Sequence, residues 1–337
     1  MRTVYGPVPS WRFGASLGID VIAGPKTCTF DCIYCQLGRT EVCREALLSR
    51  DECVKPEDVE RCLLDYLDRV ETESLDVVTF SGRGEPTLNP MLGEIAEVVR
   101  SVLGSRIPLV LLTNSSLLHL STVREGARSF DVVCAKLDAG DDRTHKLINR
   151  PCGGGRGVGA IVESLGSFAE EFSGDFMVQT MFLRTSYGLT NCEGEAFEKL
   201  VEAIARISPR VVQVDTPYRP GGEEFVLPLD LEELGRVGRE LEARLPRCEI
   251  WTLGVHDRRK RARWKSRGEL IEVCLELLER RPCRPLDVAD SLGIDVRTSI
   301  ELLKSLEEDS LIEKREVRGE VYYSVKRWRN ARSSRRA

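Results

Sequence analysis

The sequence predicts an α/β fold: βα units curled into a full or partial barrel, followed by a small winged helix-turn-helix domain. Three observations predict it. Before about residue 255, apolar β-rich runs alternate with amphipathic segments of helical length. Polar side chains collect at the C-terminal ends of those runs. Beyond a basic stretch, "RRKRARWKSR", the pattern becomes helix, helix-turn-helix and hairpin, the order of a winged helix.

The strand candidates are "SLGIDVIA", "LDVVTFSG", "PLVLLTN", "VVCAKLDA", "FMVQTMF" and "VVQVDT", with "EIWTLG" as an extra. Between them "PEDVERCLLDYLDRV", "PMLGEIAEVVRSVL", "GVGAIVESLGSFAEEF" and "EAFEKLVEAIARI" carry the helical period. Near-continuous Val, Ile and Leu strands separated by helices indicate parallel βαβ units with both sheet faces covered. Six such units exceed the simplest open sheet and suit a barrel. Ser81, Thr113, Asn114, Asp138, Gln179 and Asp215 fall at or near strand C-terminal ends, the edge where a barrel assembles its site. The alternative is that such groups merely cap their strands. Further on, "GELIEVCLELLERRP" reads as a helix and "PLDVADSLGI" as a short helix ending at a glycine turn. "DVRTSIELLKSLEEDS" is a third helix, and "LIEKREVRGEVYYSV" forms two strands about an Arg-Gly turn. The boundaries that follow are 1–255 for the barrel, 256–267 for a basic linker, 268–326 for the winged helix and 327–337 for a basic, disordered tail.

With 337 residues and 42% apolar content, the chain can bury a sizeable core in two domains. No apolar run reaches the length of a membrane span and the N-terminus lacks a signal-peptide pattern, so a cytoplasmic protein without a membrane partner is expected. In a reducing compartment twelve cysteines read as metal ligands or buried small apolar residues and not as disulfides. The net charge of −5 is uneven: from His256 onward 21 Lys+Arg face 15 Asp+Glu, leaving 28 against 39 before it. That asymmetry points the C-terminal part toward an anionic partner.

The stretch "PKTCTFDCIYCQLGRT" spaces its thiols C-x3-C-x2-C at Cys28, Cys32 and Cys35. A structural zinc site takes four protein ligands and a disulfide framework takes even numbers. Three close thiols suit a metal centre with one position open, and an iron–sulfur cubane held by three thiolates has such a corner. Zinc held by these thiols and a remote fourth ligand is the alternative. The motif, with the aromatic Tyr34 before the last thiol, resembles the signature of radical S-adenosylmethionine enzymes. Gly84-Glu85-Pro86 in "FSGRGEP" resembles the glycine-rich segment that receives the methionine amino group in that family. Thr113-Asn114-Ser115 resembles its T-N-G-type segment, and "AKLDA" its S-L-D segment with Lys136 in place of serine.

The resemblance covers roughly residues 5 to 220 and implies a partial (β/α)6 TIM-like barrel of the radical SAM type. It implies a [4Fe–4S] cluster on Cys28, Cys32 and Cys35, and S-adenosylmethionine held by Tyr34, Gly84, Glu85, Thr113 and Asn114. It also implies a one-electron reductant of flavodoxin or ferredoxin type, reductive cleavage of the sulfonium, and hydrogen abstraction from a substrate by the resulting 5′-deoxyadenosyl radical. Lys136, Asp138 and Gln179 are the catalytic candidates, with Asn149, Arg150 and Asp215 as further rim contacts. At finer grain "YGPVPSWRFGASLGID", "KLDAGD" and "INRP" resemble a prokaryotic branch of Fe–S oxidoreductases grouped with wyosine-synthase-like enzymes. The tricyclic-base synthases add a second cluster from upstream cysteines, and this chain has none before Cys28, so that activity does not carry over.

Cys43, Cys53 and Cys62 fit no local ligand pattern and read as buried apolar residues, with an auxiliary cluster as the alternative. Cys134 and Cys274 read as core; Cys152, Cys192, Cys248 and Cys283 carry no assignment. "GGGRGVGA" matches a dinucleotide fingerprint but follows a loop and not a strand, so it reads as a loop entering a helix. His119, His145 and His256 read as structural or exposed. On the winged helix Arg297, Thr298, Ser299 and Lys304 are expected to face outward, with Lys314, Arg315 and Arg318 on the wing. Trp264 and Trp328 interleave the flanking basic segments, a pattern that suits RNA or DNA phosphates. The leading expectation is a radical enzyme acting on a nucleic-acid base, plausibly in tRNA. The others are a radical enzyme on a peptide or small metabolite, and a cluster-sensing winged-helix transcription regulator.

Overall fold

The computed structural model describes residues 3–260, 270–317 and 319–326; most of the basic linker with Trp264, the wing residue Arg318 and the tail with Trp328 lie outside the described residues. The strands are β1 (Val4–Ser10), β2 (Gly14–Ile19), β3 (Thr27–Cys28), β4 (Val42–Cys43), β5 (Val77–Phe80), β6 (Leu109–Thr113), β7 (Val132–Lys136), β8 (Asp175–Met181), β9 (Leu183–Thr185), β10 (Val211–Asp215), β11 (Val226–Pro228), β12 (Glu249–Thr252), β13 (Ile312–Val317) and β14 (Glu320–Val325). The helices are α1 (Pro56–Leu67), α2 (Leu92–Leu103), α3 (Ser121–Ala127), α4 (Asp142–Ile148), α5 (Val158–Glu171), α6 (Gly194–Ile207), α7 (Leu231–Arg244), α8 (Leu270–Arg280), α9 (Pro285–Leu292) and α10 (Val296–Glu308).

One eight-stranded sheet runs β1-β2-β5-β6-β7-β8-β10-β12. From β2 to β12 every pair is parallel, and β1 joins β2 antiparallel. The six expected strands are all present and "EIWTLG" forms the seventh parallel one. Their interiors are buried almost throughout, as two covered faces require. The sheet is a curled partial barrel. Cys134 on β7 donates its thiol to Gln213 on β10 at 3.2 Å, two strands away across the concave face. Ser16 and Thr79 meet at 2.7 Å on the same face.

β1 is an addition to the expected pattern. Pro7 and Pro9 within it argue against a strand, and proline is tolerated because β1 is an edge strand with one neighbour in the sheet. Helices α3 and α4 have seven residues each, too few for a readable period. In α7 the apolar stripe of Leu234, Val237 and Leu241 is hidden among charges; Asp230 and Glu233 cap it reciprocally.

The C-terminal elements α8, α9, α10, β13 and β14 share an apolar cluster that includes Cys274, Leu277, Val288, Leu303 and Tyr323. Gly293, at φ +63°, ends α9 in the left-handed conformation that lets α10 turn away. β13 and β14 pair antiparallel. Ser299 departs from expectation: it is fully buried, and its hydroxyl donates to the carbonyls of Pro285 and Val296 instead of facing outward. This unit packs α8 and α9 against β1. Among the described residues no helix is long and apolar enough to cross a membrane.

Candidate active site

The thiol loop leaves the C-terminal end of β2 and is pinned on both flanks by backbone. Thr27 N donates to Arg83 O and Glu85 N donates to Thr27 O, both at 3.1 Å. Gly84 lies so close that a β-carbon there would strike the Thr27 carbonyl. The glycine expected to admit a cofactor thus first admits the strand that carries Cys28. On the other flank Asp31 N donates to the carbonyls of Asn149 and Arg150, and Ile33 N donates to Ile148 O. The "INRP" segment after α4 therefore holds the middle of the loop.

Cys28, Cys32 and Cys35 are half-buried free thiols. Two amides point at them: Asn114 Nδ2 stands 3.4 Å from Cys28 Sγ, and Asn149 Nδ2 stands 3.6 Å from Cys32 Sγ. Lys26 is buried with its ammonium donating to Gly38 O at 2.6 Å. Burial pulls the Lys26 pKa down, but the thiols of Cys35, Cys28 and Cys32 outweigh that and leave it above the ordinary lysine value. Burial, then Glu85 and Cys32, push the Cys28 thiol up to about 12. Burial, then Asp138 and Cys35, push Cys32 up to about 11. Binding as thiolates therefore needs a strong compensating positive charge, as iron supplies. Among the described residues no three His, Cys, Asp or Glu groups converge to hold one metal ion. Three thiols with amide donors on two sulfurs and a buried ammonium fit a cluster, whose irons are ligated separately.

Glu85 is 2% exposed and its carboxylate accepts from Thr87 N, Thr87 Oγ1, Thr113 Oγ1 and Asn114 N. Burial raises its pKa, and these donors work against the rise. Glu85 thereby ties the end of β5 to the end of β6 and sets the backbone from which Asn114 reaches Cys28. Asp138 does the same after β7, accepting from Tyr34 OH at 2.5 Å, Asn149 Nδ2 at 2.7 Å and Met181 N at 2.9 Å. Burial, then Asp138, hold the Tyr34 phenol well above its usual value, so it stays a donor. Lys136 places its ammonium 4.9 Å from the Tyr34 ring centre. Gln179 Nε2 donates to Asp215 Oδ2 at 3.0 Å, and Trp11 Nε1 donates to the same oxygen at 3.4 Å. Arg150 pairs with Glu223, which also binds Arg39 of the thiol loop.

Thus Tyr34, Lys136, Asp138, Asn149 and Asn114 line one small crevice of about 10 Å³ beside Cys32. Asp215 instead lines a separate cavity of about 210 Å³ on the concave face, which Gln36 of the thiol loop also borders. Lys26 escaped sequence reasoning. Lys26 stands two residues before Cys28, yet nothing in that spacing signals its burial. His145 is buried in the crevice, donating from Nδ1 to Asn149 Oδ1 at 3.0 Å; its burial depresses its pKa.

Cys43 and Cys152 correct the expectation of a disulfide-free chain: they form a disulfide across 109 residues. Cys43 is therefore withdrawn from any auxiliary cluster. It sits opposite Cys28 in the β3–β4 ladder, so the bond lies directly behind the first thiol of the motif. Cys53 is buried, as are Cys134 and Cys274, which are in the core as expected.

The model of the Radical SAM superfamily matches residues 24–183. A UPF0026 protein of Methanocaldococcus jannaschii is 33% identical over 237 residues, covering 70% of each chain. A UPF0026 protein of Synechocystis sp. is 39% identical over 217 residues, 64% of this chain and 76% of that one. Among solved structures, TYW1 with a lysine-pyruvate adduct bound is 17% identical with a TM-score of 0.48, covering 71% of this chain and 76% of that one. The identities to the two UPF0026 proteins establish that the chain belongs to the UPF0026 family, and with the family-model match and the thiol motif it is a radical S-adenosylmethionine enzyme, an iron–sulfur oxidoreductase.

Proposed function

We propose that Cys28, Cys32 and Cys35 hold a [4Fe–4S] cluster, that S-adenosylmethionine is bound along the ends of β5 and β6, and that the substrate occupies the concave cavity. The observation that carries this reading is the pair of amides, Asn114 after β6 and Asn149 after α4, that reach two of the three sulfurs from separate elements. When bound, the reduced cluster and S-adenosylmethionine supply a 5′-deoxyadenosyl radical that takes a hydrogen atom from the substrate. The chain's own residues position and shield. Asn114 and Asn149 stabilise negative charge on sulfur, and Lys26 contributes a buried countercharge. Glu85 acts through Thr113 and Asn114, so it is a positioning residue and not a cofactor contact in this reading. Asp138 holds Tyr34 and Asn149 in place. Lys136, in the crevice beside Cys32, and Gln179, bonded to the cavity-lining Asp215, are the groups offered to substrate. An external one-electron reductant of flavodoxin or ferredoxin type, in a cytoplasmic setting, suits this chemistry.

Anaerobic reconstitution with iron and sulfide, followed by assay for 5′-deoxyadenosine under strong reductant, tests the reading. Product is expected from the native chain and not from Cys28→Ala, Cys32→Ala or Cys35→Ala. Stoichiometric zinc with no iron and no nucleoside product would overturn it.

For the substrate we propose a nucleic-acid base, reading residues 1–255 as the barrel domain and 268–326 as a winged helix that docks RNA. Arg297, whose side chain is 90% exposed, and exposed Lys304 on α10 support it. Arg297 also reaches Glu301 at 3.2 Å within α10, while Lys314 pairs with Glu307 and Arg315 with Glu224. Loss of RNA retention in the full chain carrying Arg297→Glu and Lys304→Glu is expected; unchanged retention would remove the docking role.

A further inference from the structure

The concave cavity of about 210 Å³ is bordered by the β1–β2 hairpin on one side and by the end of α8 on the other. Its lining holds Arg12, Arg219, Arg280 and Arg281 against one carboxylate, Asp215. Arg280 is satisfied, its Nε 3.2 Å from Asp20 Oδ2 and its Nη1 donating to Glu276 O at 3.0 Å. The other three are only partly so: Arg12 Nη1 donates to Gln213 Oε1 at 3.3 Å, but other guanidinium nitrogens stay unmet. Arg12 Nε, Arg219 Nε, Arg281 Nε and Arg281 Nη2 are buried without a hydrogen-bond partner among the described residues. The carboxylate nearest Arg281 is Asp287, 3.8 Å from Nη2 and too far for a hydrogen bond. Asp287 is also engaged by Arg284 at 3.2 Å and feels the charge of Arg219.

A buried guanidinium N–H without an acceptor costs free energy, and three around one cavity mark a place where acceptors are to be supplied from outside. We infer that this cavity binds a phosphate group of the substrate, held by Arg12, Arg219 and Arg281. A phosphate monoester brings three acceptor oxygens and up to two charges, whereas a carboxylate brings one charge and two oxygens. Planar guanidinium forks match phosphate geometry in pairs. Arg281 comes from the C-terminal unit and Arg12 from the N-terminal hairpin, so the substrate pocket is complete only when that unit packs against the barrel. The inference rests on the radical reading above, for it names the class of molecule on which that chemistry acts.

Binding to the full chain is measured calorimetrically with inorganic pyrophosphate, adenosine 5′-monophosphate, adenosine and a 5′-phosphorylated RNA oligonucleotide. Pyrophosphate and the monophosphate are expected to bind, more weakly as salt rises, and adenosine is not. Arg219→Gln and Arg281→Gln are each expected to weaken pyrophosphate binding at least tenfold. Arg281→Gln also removes the leading charge beside buried Asp287, so its fold is checked by thermal melting before binding is read. Should it fail to fold, the half-buried Arg12→Gln serves in its place. RNA binding that pyrophosphate competes away supports a nucleic-acid source for the phosphate; binding of the small phosphates without RNA supports a free phosphorylated substrate. No phosphate binding, or binding undiminished in the variants, overturns the inference. Phosphate binding without 5′-deoxyadenosine formation defeats the radical reading alone, and nucleoside formation without phosphate binding defeats this one alone.

Discussion

Gly84 and Glu85 sit side by side and act on different partners, one through the absence of a side chain and the other through a carboxylate with four donors. A methyl at position 84 cannot be absorbed by a rotamer change, because the atom it meets is the backbone oxygen of Thr27. Gly84→Ala is therefore expected to push β3 away and to lower iron loading of the reconstituted protein at least tenfold, read as iron per chain. Normal loading would show that the thiol loop tolerates the shift. The three thiols were legible from spacing alone. The roles of Asn149 and Lys26 were not, because a residue 117 positions from Cys32, or one whose burial depends on its neighbours, leaves no local signature.

At the scale of elements, α8 is joined to the barrel by an ion pair whose two side chains are 2% and 1% exposed, Arg280 with Asp20. Breaking a buried pair from one side costs about 3–5 kcal/mol because the other charge stays buried. Arg83 also reaches Asp20 at 3.2 Å, so Arg280→Met should fall at or below about 3 kcal/mol in urea unfolding. A loss under about 0.5 kcal/mol would remove the pair from the docking account. Asp287 adds a pH dependence. Burial alone would raise its pKa, but Arg281, Arg219 and Arg284 outweigh that and hold it well below the usual carboxylate value. A depressed folded-state pKa contributes stability that is present above the unfolded value of about 3.9 and is lost as pH falls below it. Hydrogen exchange in α9 is expected to be flat from about pH 7 to 5, after correction for intrinsic rates, and to accelerate below about pH 4. Protection that holds into strong acid would count against Asp287.

For the whole molecule, the Cys43–Cys152 disulfide spans 109 residues and closes a loop that contains β5, β6 and β7. Chain-entropy estimates for a loop of that size give about 4–5 kcal/mol. Cys152→Ser is expected to lower stability by that order under oxidising conditions and by nothing under reducing ones, read from denaturant midpoints with and without reductant. Equal midpoints for the two proteins in oxidant would mean that the bond does not hold the fold. The bond escaped the sequence reading because a compartment argument set disulfides aside, and two cysteines 109 apart announce no proximity.

By itself the sequence determined the parallel strands alternating with helices, the thiol motif at the end of β2 and the polar groups at the other strand ends. Those properties are carried by side-chain period and short spacings. Only the tertiary structure decided which sulfurs receive amide donors, which cysteines pair, and that Arg281 and Arg12 meet across one cavity. Each of those rests on contacts between distant positions, as between Trp11 and Asp215, 204 residues apart, or Asp20 and Arg280, 260 apart. Such meetings follow from the curl of the sheet and the packing of α8, which no local pattern encodes.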